Sequence, residues 1–251
     1  MSIVVLNGAS RGIGAALARH FLENTSLTIV TTARNPPEKD KFLVESEEQQ
    51  RWTHIRTDLT AEDQISAAAD RIKEMYGNHS VGCVVNLAGY LQPEKTITAV
   101  TPENFQRHLD VNVIAPTMVA KHFSPLLFHP TRNKSPFSNP IWANVSARTG
   151  SIGDNRLGGW YSYRMSKAAL NMLTKCLAVE LGHPSKKDAI VVSLHPGTVK
   201  TDLSSPFIGN VNPEKLFTTE HAAAKMFAVI MGLRKADNGK FYDYAAKNIV
   251  W

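Results

Sequence analysis

Tyr163 and Lys167 lie four residues apart in the run Tyr163-Arg164-Met165-Ser166-Lys167. Positions i and i+4 share one face of a helix, so this spacing sets a phenol beside an ammonium group. A free phenol titrates near pH ~10, too high for easy proton exchange at neutral pH; a neighbouring cation favours the phenolate and lowers that value. The Lys167 side chain could also hold the ribose of a bound nucleotide. Tyr161 is close by, but its i+4 residue is Met165, so it lacks such a partner. Alone, the pair is a common accident of helical sequences.

A second stretch, Asn7-Gly8-Ala9-Ser10-Arg11-Gly12-Ile13-Gly14, follows the short apolar run Ile3 to Leu6 and precedes helix-forming residues from Ala15 to Leu22. Strand, glycine turn and helix form the frame that holds a pyrophosphate. Gly8, Gly12 and Gly14 remove Cβ where the backbone must turn tightly and approach a ligand. The free amides and dipole of the following helix then face the phosphates.

The next strand candidate, Leu27 to Thr31, ends in Thr32-Ala33-Arg34, with no acid before Glu38 to accept from ribose hydroxyls. Arg34 instead offers a planar cation suited to a 2′-phosphate, and Arg11 could grip the same group from the other side. NADP(H) is therefore favoured over NAD(H). The bland alternative is an Arg34 that leaves the strand and points at water.

These residues need a scaffold. Glu38 to Gln50 reads as a surface helix, His54 to Thr57 as a third strand, and Ala61 to Tyr76 as a helix with Thr60 at its N-cap and Gly77 closing it. Val81 to Leu87 reads as a fourth strand that runs into Ala88-Gly89. Thr101-Pro102 opens a helix that continues toward Phe123, with the polar Asn112 among apolar neighbours. Such an Asn must find hydrogen-bond partners or cost about 1–3 kcal/mol. Residues 130–140 read as a surface loop, Ile141 to Ser146 as a fifth strand, Trp160 to Leu181 as a long helix and Ala189 to Leu194 as a sixth strand. An irregular segment, 203–217, precedes a helix from Thr219 to Leu233, and Lys240 to Asp243 closes the series. Strands alternating with helices, each apolar on both faces, predict an α/β fold: one doubly wound parallel sheet with helices on both faces, in a single domain over residues 1–251. Ligands in such sheets bind beyond the carboxyl ends of the strands, which is where the segments singled out above all fall.

Composition narrows the classes. The 251 residues are 43% hydrophobic and 20% charged, which suits one domain. No apolar run approaches the roughly 20 residues that cross a bilayer, and no basic flank precedes Ile3, so neither a membrane span nor a signal peptide is expected. Cys83 and Cys176, the only cysteines, read as reduced core residues, and no cluster has metal-ligand spacing. A cytoplasmic enzyme is expected. The net charge of +6 is scattered among acids without a basic block, so nucleic acid is not an expected partner.

Taken together, Gly8-Ala9-Ser10-Arg11-Gly12-Ile13-Gly14, Asp58-Leu59, Asn86-Leu87-Ala88-Gly89, Asn112, Tyr163 with Lys167, and Pro196-Gly197-Thr198-Val199-Lys200-Thr201 occur in one order along the chain. In this the sequence resembles the short-chain dehydrogenase/reductase family of Rossmann-fold enzymes, nearly end to end. The segment 150–156 with the long gap before Tyr163, and the endings 239–243 and 249–251, are similar to its sniffer-like, or C-factor-like, carbonyl reductase branch.

The resemblance implies roles. Tyr163 would protonate a carbonyl oxygen as hydride arrives, and Lys167 would tune it and bind the nicotinamide ribose. Asn112 would hold a water in the relay behind Lys167. Ser10 and Ile13 belong to the cofactor turn, and Asp58 and Leu59 would meet the adenine. Asn86, Ala88 and Gly89 would line the cofactor, and Pro196, Gly197, Val199 and Thr201 would meet the nicotinamide end. The segment 203–217 would form a lid over an aldehyde or ketone, with Pro206, Phe207, Ile208 and Phe217 pointing to an apolar pocket or a neighbouring subunit. A homodimer or homotetramer is implied too.

Three departures stand out. Asn7 replaces a threonine, but can still make a local hydrogen bond. Leu87 replaces a second Asn. Ala147 occupies the place of the family's substrate-orienting serine; either Ser146, one residue early, takes that role, or Ser151 reaches in, or the hydroxyl is absent, and Ser146 is the one expected. An NADPH-dependent carbonyl reductase is the leading expectation. A non-catalytic NADP(H)-binding regulator on the same fold is the alternative, favoured by Leu87 and Ala147.

Overall fold

The computed structural model describes residues 2–37, 46–130, 135–209, 212, 214 and 216–251. Its strands are β1 (Ile3–Asn7), β2 (Thr28–Ala33), β3 (Trp52–Arg56), β4 (Val81–Asn86), β5 (Ile141–Val145), β6 (Ile190–His195), β7 (Thr198–Val199), β8 (Leu216–Phe217) and β9 (Phe241–Asp243). Its α-helices are α1 (Gly12–Asn24), α2 (Ser46–Gln49), α3 (Glu62–Tyr76), α4 (Pro102–Leu109), α5 (Ala115–Phe123), α6 (Tyr161–Leu181) and α7 (Thr219–Gly232). Seven strands pair in parallel in the order β3-β2-β1-β4-β5-β6-β9, while β7 and β8 form a separate pair.

β1 shows why the sheet is covered twice. Ile3 and Val5 join Ile65, Ile72, Val119 and Phe123 in a core beneath α3, α5 and α6. Val4 and Leu6 join Leu17, Phe21, Met226 and Ile230 in the opposite core, beneath α1 and α7. Alternation sends successive side chains to opposite faces, and burying each large aliphatic side chain contributes about 1.5–3 kcal/mol.

The carboxyl ends of the strands carry a buried polar row. Register aligns Asn7 with Asn86, Asn86 with Asn144 and Asn144 with Ser193. Asn7 Nδ2 donates to Asn86 Oδ1 at 2.9 Å, Asn86 Nδ2 to Asn144 Oδ1 at 2.8 Å, and Asn144 Nδ2 to Thr174 Oγ1 at 2.9 Å. Thr32 Oγ1 closes the far end on Asn7 Oδ1 at 2.6 Å. The expectation of a local bond at Asn7 is thus corrected: its partners lie on the neighbouring strands, because strand side chains meet across the sheet and not along the chain.

Other boundaries differ for identifiable reasons. The helix expected from Thr101 to Phe123 is divided by a π-helical turn, Asp110–Ile114, with Asn112 at its centre. Pro116 has no N–H for the Asn112 carbonyl, so the ladder widens there, and Ala115 N bonds Asp110 O instead. Thr60 does not cap α3: its amide and hydroxyl both donate to Asp58 Oδ1, and Ala61 holds the cap position without a side-chain bond. Thr101 does cap α4, accepting from Asn104 N at 3.2 Å, and Gly77 closes α3 at φ +84. Cys176 is exposed, not core, because it falls on the outer face of α6; Cys83 is buried. Within the expected surface loop, Phe137 is buried in the core. Of the helix expected over 38–50, residues 38–45 lie outside the described residues, and α2 occupies 46–49. In the segment 203–217, residues 210, 211, 213 and 215 also lie outside them. Phe217 packs on His221 and Tyr244, with ring centroids 4.7 Å from each.

Candidate active site

α1 starts directly from the glycine turn. Arg11 holds its N-cap position without a side-chain cap, and the first turn has no acidic residue. The first amides of a helix lack intrahelical acceptors, so this end is open to an anion. The three glycines are required for different reasons. A Cβ on Gly8 would stand 2.5 Å from Ala88 N, and one on Gly14 would stand 2.6 Å from Gly8 O, so both permit the chain to pack on itself. Gly12 has φ +56, and a Cβ there would only touch Thr201 Cγ2 at 3.5 Å, so it is the left-handed turn and not crowding that calls for glycine. Ser10 and Ile13 lie in this turn, and Ile13 packs on the core. Arg11 Nη1 meets Asp202 Oδ2 at 2.9 Å, an exposed ion pair joining the glycine turn to the 198–202 segment.

Beneath that turn, Asn7, Leu59, Asn86, Ala88 and Pro116 are among the residues lining a cavity of about 10 Å³, room for about one water. Asp58 spends one carboxylate oxygen on Thr60, and those hydrogen bonds, with Arg34 nearby, hold its carboxyl below the usual range. Arg34 is exposed at the end of β2. On the opposite side Pro196 and Val199 are buried. Gly197, at φ +84, lets the chain pass Phe217, whose ring would stand 2.8 Å from a Cβ there.

The structure brings Gly89, Asn112, Tyr163 and Lys167 together. A Cβ on Gly89 would lie 3.7 Å from Asn112 Oδ1 and 3.9 Å from Lys167 Nζ. Asn112 is fully buried and clamps Tyr90: Oδ1 accepts from Tyr90 N at 2.8 Å, and Nδ2 donates to Tyr90 O at 2.9 Å and to Ser166 Oγ at 3.0 Å. Lys167 Nζ donates to Val145 O at 3.0 Å and lies 5.8 Å from the Tyr163 ring centroid. The ring is edge-on to His108 and Trp160, with centroids 6.1 Å away in each case.

The expected electrostatics need correcting. Burial pushes the Tyr163 phenol up and the Lys167 ammonium down to about 8. Desolvation penalises both charged forms, and at this separation it outweighs their mutual attraction. The spacing places the two side chains on one face, but does not by itself acidify the phenol.

The hydroxyl question narrows. Ser151 Oγ donates to Val250 O and accepts from Asp154 N at 3.0 Å, so it is committed to the C-terminal segment. Ser146 is 3% exposed and its Oγ is buried without a hydrogen-bond partner. A buried hydroxyl left unpaired costs free energy, and such groups ask for an explanation. Ala147 continues the chain in extended conformation, at φ −144.

A family model described as short chain dehydrogenase matches residues 2–209. The chain belongs to the short chain dehydrogenase family. Among solved structures, this short chain dehydrogenase is similar to an NADPH-bound carbonyl reductase from chicken fatty liver, at TM-score 0.84 and 28% identity, covering 100% of this chain and 95% of that one. It is equally similar to the carbonyl reductase Sniffer of D. melanogaster, at TM-score 0.84 and 28% identity over 100% of both chains. Among curated proteins, a 1-hydroxy-2-glutathionyl-2-methyl-3-butene dehydrogenase of Rhodococcus sp. is 27% identical over 252 residues, covering 100% of both.

The residues fit the nicotinamide cofactor that this fold binds. The first turn of α1 has no side-chain cap, Gly12 is left-handed at φ +56, and the buried Ser146 hydroxyl has no hydrogen-bond partner. Among the described residues no group of three or more His, Cys, Asp or Glu could hold a metal ion, and no helix is long and apolar enough to cross a membrane.

Sequence reading missed three contributors. Asn144 is fully buried in the polar row; a polar residue in an otherwise apolar strand was the available signal. His108 is fully buried, with Nδ1 on Asn104 O at 2.8 Å and Nε2 accepting from Gln92 N at 3.2 Å, and burial holds its pKa down. Glu94 is a buried carboxylate within the loop after β4, and nothing local in the sequence distinguishes it from a surface acid.

Proposed function

We propose that this short chain dehydrogenase is an NADPH-dependent carbonyl reductase that converts an aldehyde or ketone to an alcohol. The observation that carries the reading is the meeting of Tyr163, Lys167, Asn112 and Gly89 at the carboxyl edge of the sheet, the same edge from which the uncapped glycine turn leaves β1. Bound NADPH would supply the hydride to the carbonyl carbon. Tyr163 Oη gives its proton to the carbonyl oxygen, and the phenol regains one from solvent, so each turnover consumes one NADPH and one proton. Ser146 Oγ, otherwise unpartnered, orients the substrate oxygen. Lys167 holds the nicotinamide ribose and favours the phenolate once proton transfer begins. Asn112 acts through Tyr90 and Ser166, and holds the relay water behind Lys167. Arg34 and Arg11 select the 2′-phosphate. Asp58 and Leu59 receive the adenine, and Asn86, Ala88, Gly197, Val199 and Thr201 line the cofactor. The segment 203–217 closes over the substrate.

The setting we infer is cytoplasmic, with a homodimer or homotetramer as the working form. An exposed apolar stripe along α6, Met165, Met172 and Val179, supports the oligomer.

NADPH consumption across a panel of aldehydes and ketones tests the reading, with wild type beside Tyr163→Phe. Turnover is expected, and the variant should lose roughly 10²–10⁴-fold in kcat. Equal rates from both proteins would sink it. Leu87, which packs on the core where the resemblance leads to a polar strut, favours the second reading of an NADP(H)-binding regulator. Tight NADPH binding with no turnover on any carbonyl would select that reading.

A further inference from the structure

α6 carries Tyr163 in its first turn, yet the sequence provides no local cap for that turn. Gly158, Gly159 and Trp160 all run in the left-handed region, at φ 63, 63 and 53. Trp160 then holds the N-cap position, its side chain making no hydrogen bond that caps the helix, and the first turn has no acidic residue. A helix start of this kind leaves its first amides unsatisfied.

Glu94 supplies what is missing. It is 4% exposed, and its partners come from the starts of two helices. Glu94 Oε2 accepts from Ser162 N at 3.2 Å, Oε1 accepts from Ser162 Oγ, and the Glu94 carbonyl accepts from Trp160 N at 2.7 Å. Oε1 also accepts from Asn104 Nδ2 at 2.6 Å, in the first turn of α4. A carboxylate at a helix start is favoured by the dipole, and hydrogen bonds to a charged acceptor are about twice as strong as neutral ones. From Asn104 the connection continues: its carbonyl accepts from His108 Nδ1 at 2.8 Å, and the His108 ring stands 6.1 Å from that of Tyr163.

We propose that Glu94 is the positioning residue for Tyr163. It fixes the backbone one residue before the phenol and keys the start of α6 to α4, so that the phenol reaches the reacting oxygen at a set place. This rests on Tyr163 being the proton donor, as proposed above. Glu94→Gln keeps the shape but turns one acceptor into a donor that faces Ser162 N or Asn104 Nδ2.

The test is a kinetic cycle of Glu94→Gln and Tyr163→Phe, with amide hydrogen exchange measured on each protein and its NADPH complex. Glu94→Gln is expected to lower kcat roughly ten- to hundredfold, as for a misplaced catalytic group, with the NADPH Kd unchanged. In the Tyr163→Phe background the same change should have little further effect. Exchange at Ser162 and Tyr163 should quicken about tenfold or more while β5 and β6 stay protected. Wild-type kcat in Glu94→Gln, or an equal loss with and without Tyr163, would overturn the proposal. Should the wild type turn over no carbonyl, the reductase reading falls, and exchange at Ser162 and Tyr163 alone decides whether Glu94 holds the turn; unchanged exchange overturns it. If Glu94→Gln does not fold, Ser162→Ala removes one of the bonds and should shift the same readouts, less far, in the same direction.

Discussion

Lys167 Nζ stands 5.8 Å from the centre of the Tyr163 ring and gives its hydrogen bond to the Val145 carbonyl oxygen at 3.0 Å. The pair therefore shares a face without touching. Both side chains are buried, and in the free protein each resists its charged form.

That burial has a pH signature. The folded pKa of Lys167 is depressed to about 8, against about 10.4 for an unfolded lysine. Between those values the unfolded chain binds more protons, so stability rises with pH across the window, and the penalty of burying the cation is full below it. Lys167→Met should raise Tm at pH ~7, by up to about 3 kcal/mol of stability, with the gain shrinking as pH climbs toward ~10. Thermal melts over pH 6–10 check this; a gain that grows with pH would contradict it.

Ser146 and Ser151 should separate cleanly. Ser146 Oγ has no partner, so Ser146→Ala is expected to change stability by less than about 1 kcal/mol while lowering kcat/KM at least tenfold. Ser151→Ala breaks the bonds to Val250 and Asp154 and should cost about 1–2 kcal/mol with a smaller kinetic effect. Melts and steady-state rates on the two variants decide it, and a reversed order would return the orienting role to Ser151.

At Asn112 the expected loss is structural as well as kinetic. Asn112→Ala leaves Tyr90 N and O without their clamp at the π turn, at a cost of about 2–4 kcal/mol. Denaturant titration measures this; a cost below about 1 kcal/mol would show that Tyr90 finds other partners.

The Arg11–Asp202 pair predicts a salt-dependent effect on cofactor binding. Both side chains are exposed, so the pair itself is worth less than about 1 kcal/mol. Asp202→Asn frees Arg11 for the 2′-phosphate and should tighten NADPH about two- to fivefold at low ionic strength, less as salt rises. NADH, lacking that phosphate, should be unaffected, whereas Arg34→Ala should weaken NADPH alone. Equal changes for both cofactors would remove the phosphate from the argument.

The sheet and the edge on which the candidate site gathers were legible because their causes are local or periodic. Apolar runs, the glycine spacing and the Tyr163/Lys167 interval announce themselves within a few residues. Pro116 carried the π turn in plain sight, but the hydrophobic period around it read as one helix. Glu94 was invisible for a different reason: a buried acid and an exposed one look alike in sequence until the donors around it are known.

What the sequence alone determined was a parallel sheet with a glycine turn at one edge and a phenol four residues from an amine. Tertiary structure decided the state of those groups. Desolvation, which depends on everything packed around Tyr163 and Lys167, outweighed the charge attraction that spacing implied. The cap of α6 came from Glu94, 68 residues before Ser162, and the polar row from strands brought side by side. Hydrogen-bond partners and dielectric surroundings belong to the folded assembly, and no short stretch of chain contains them.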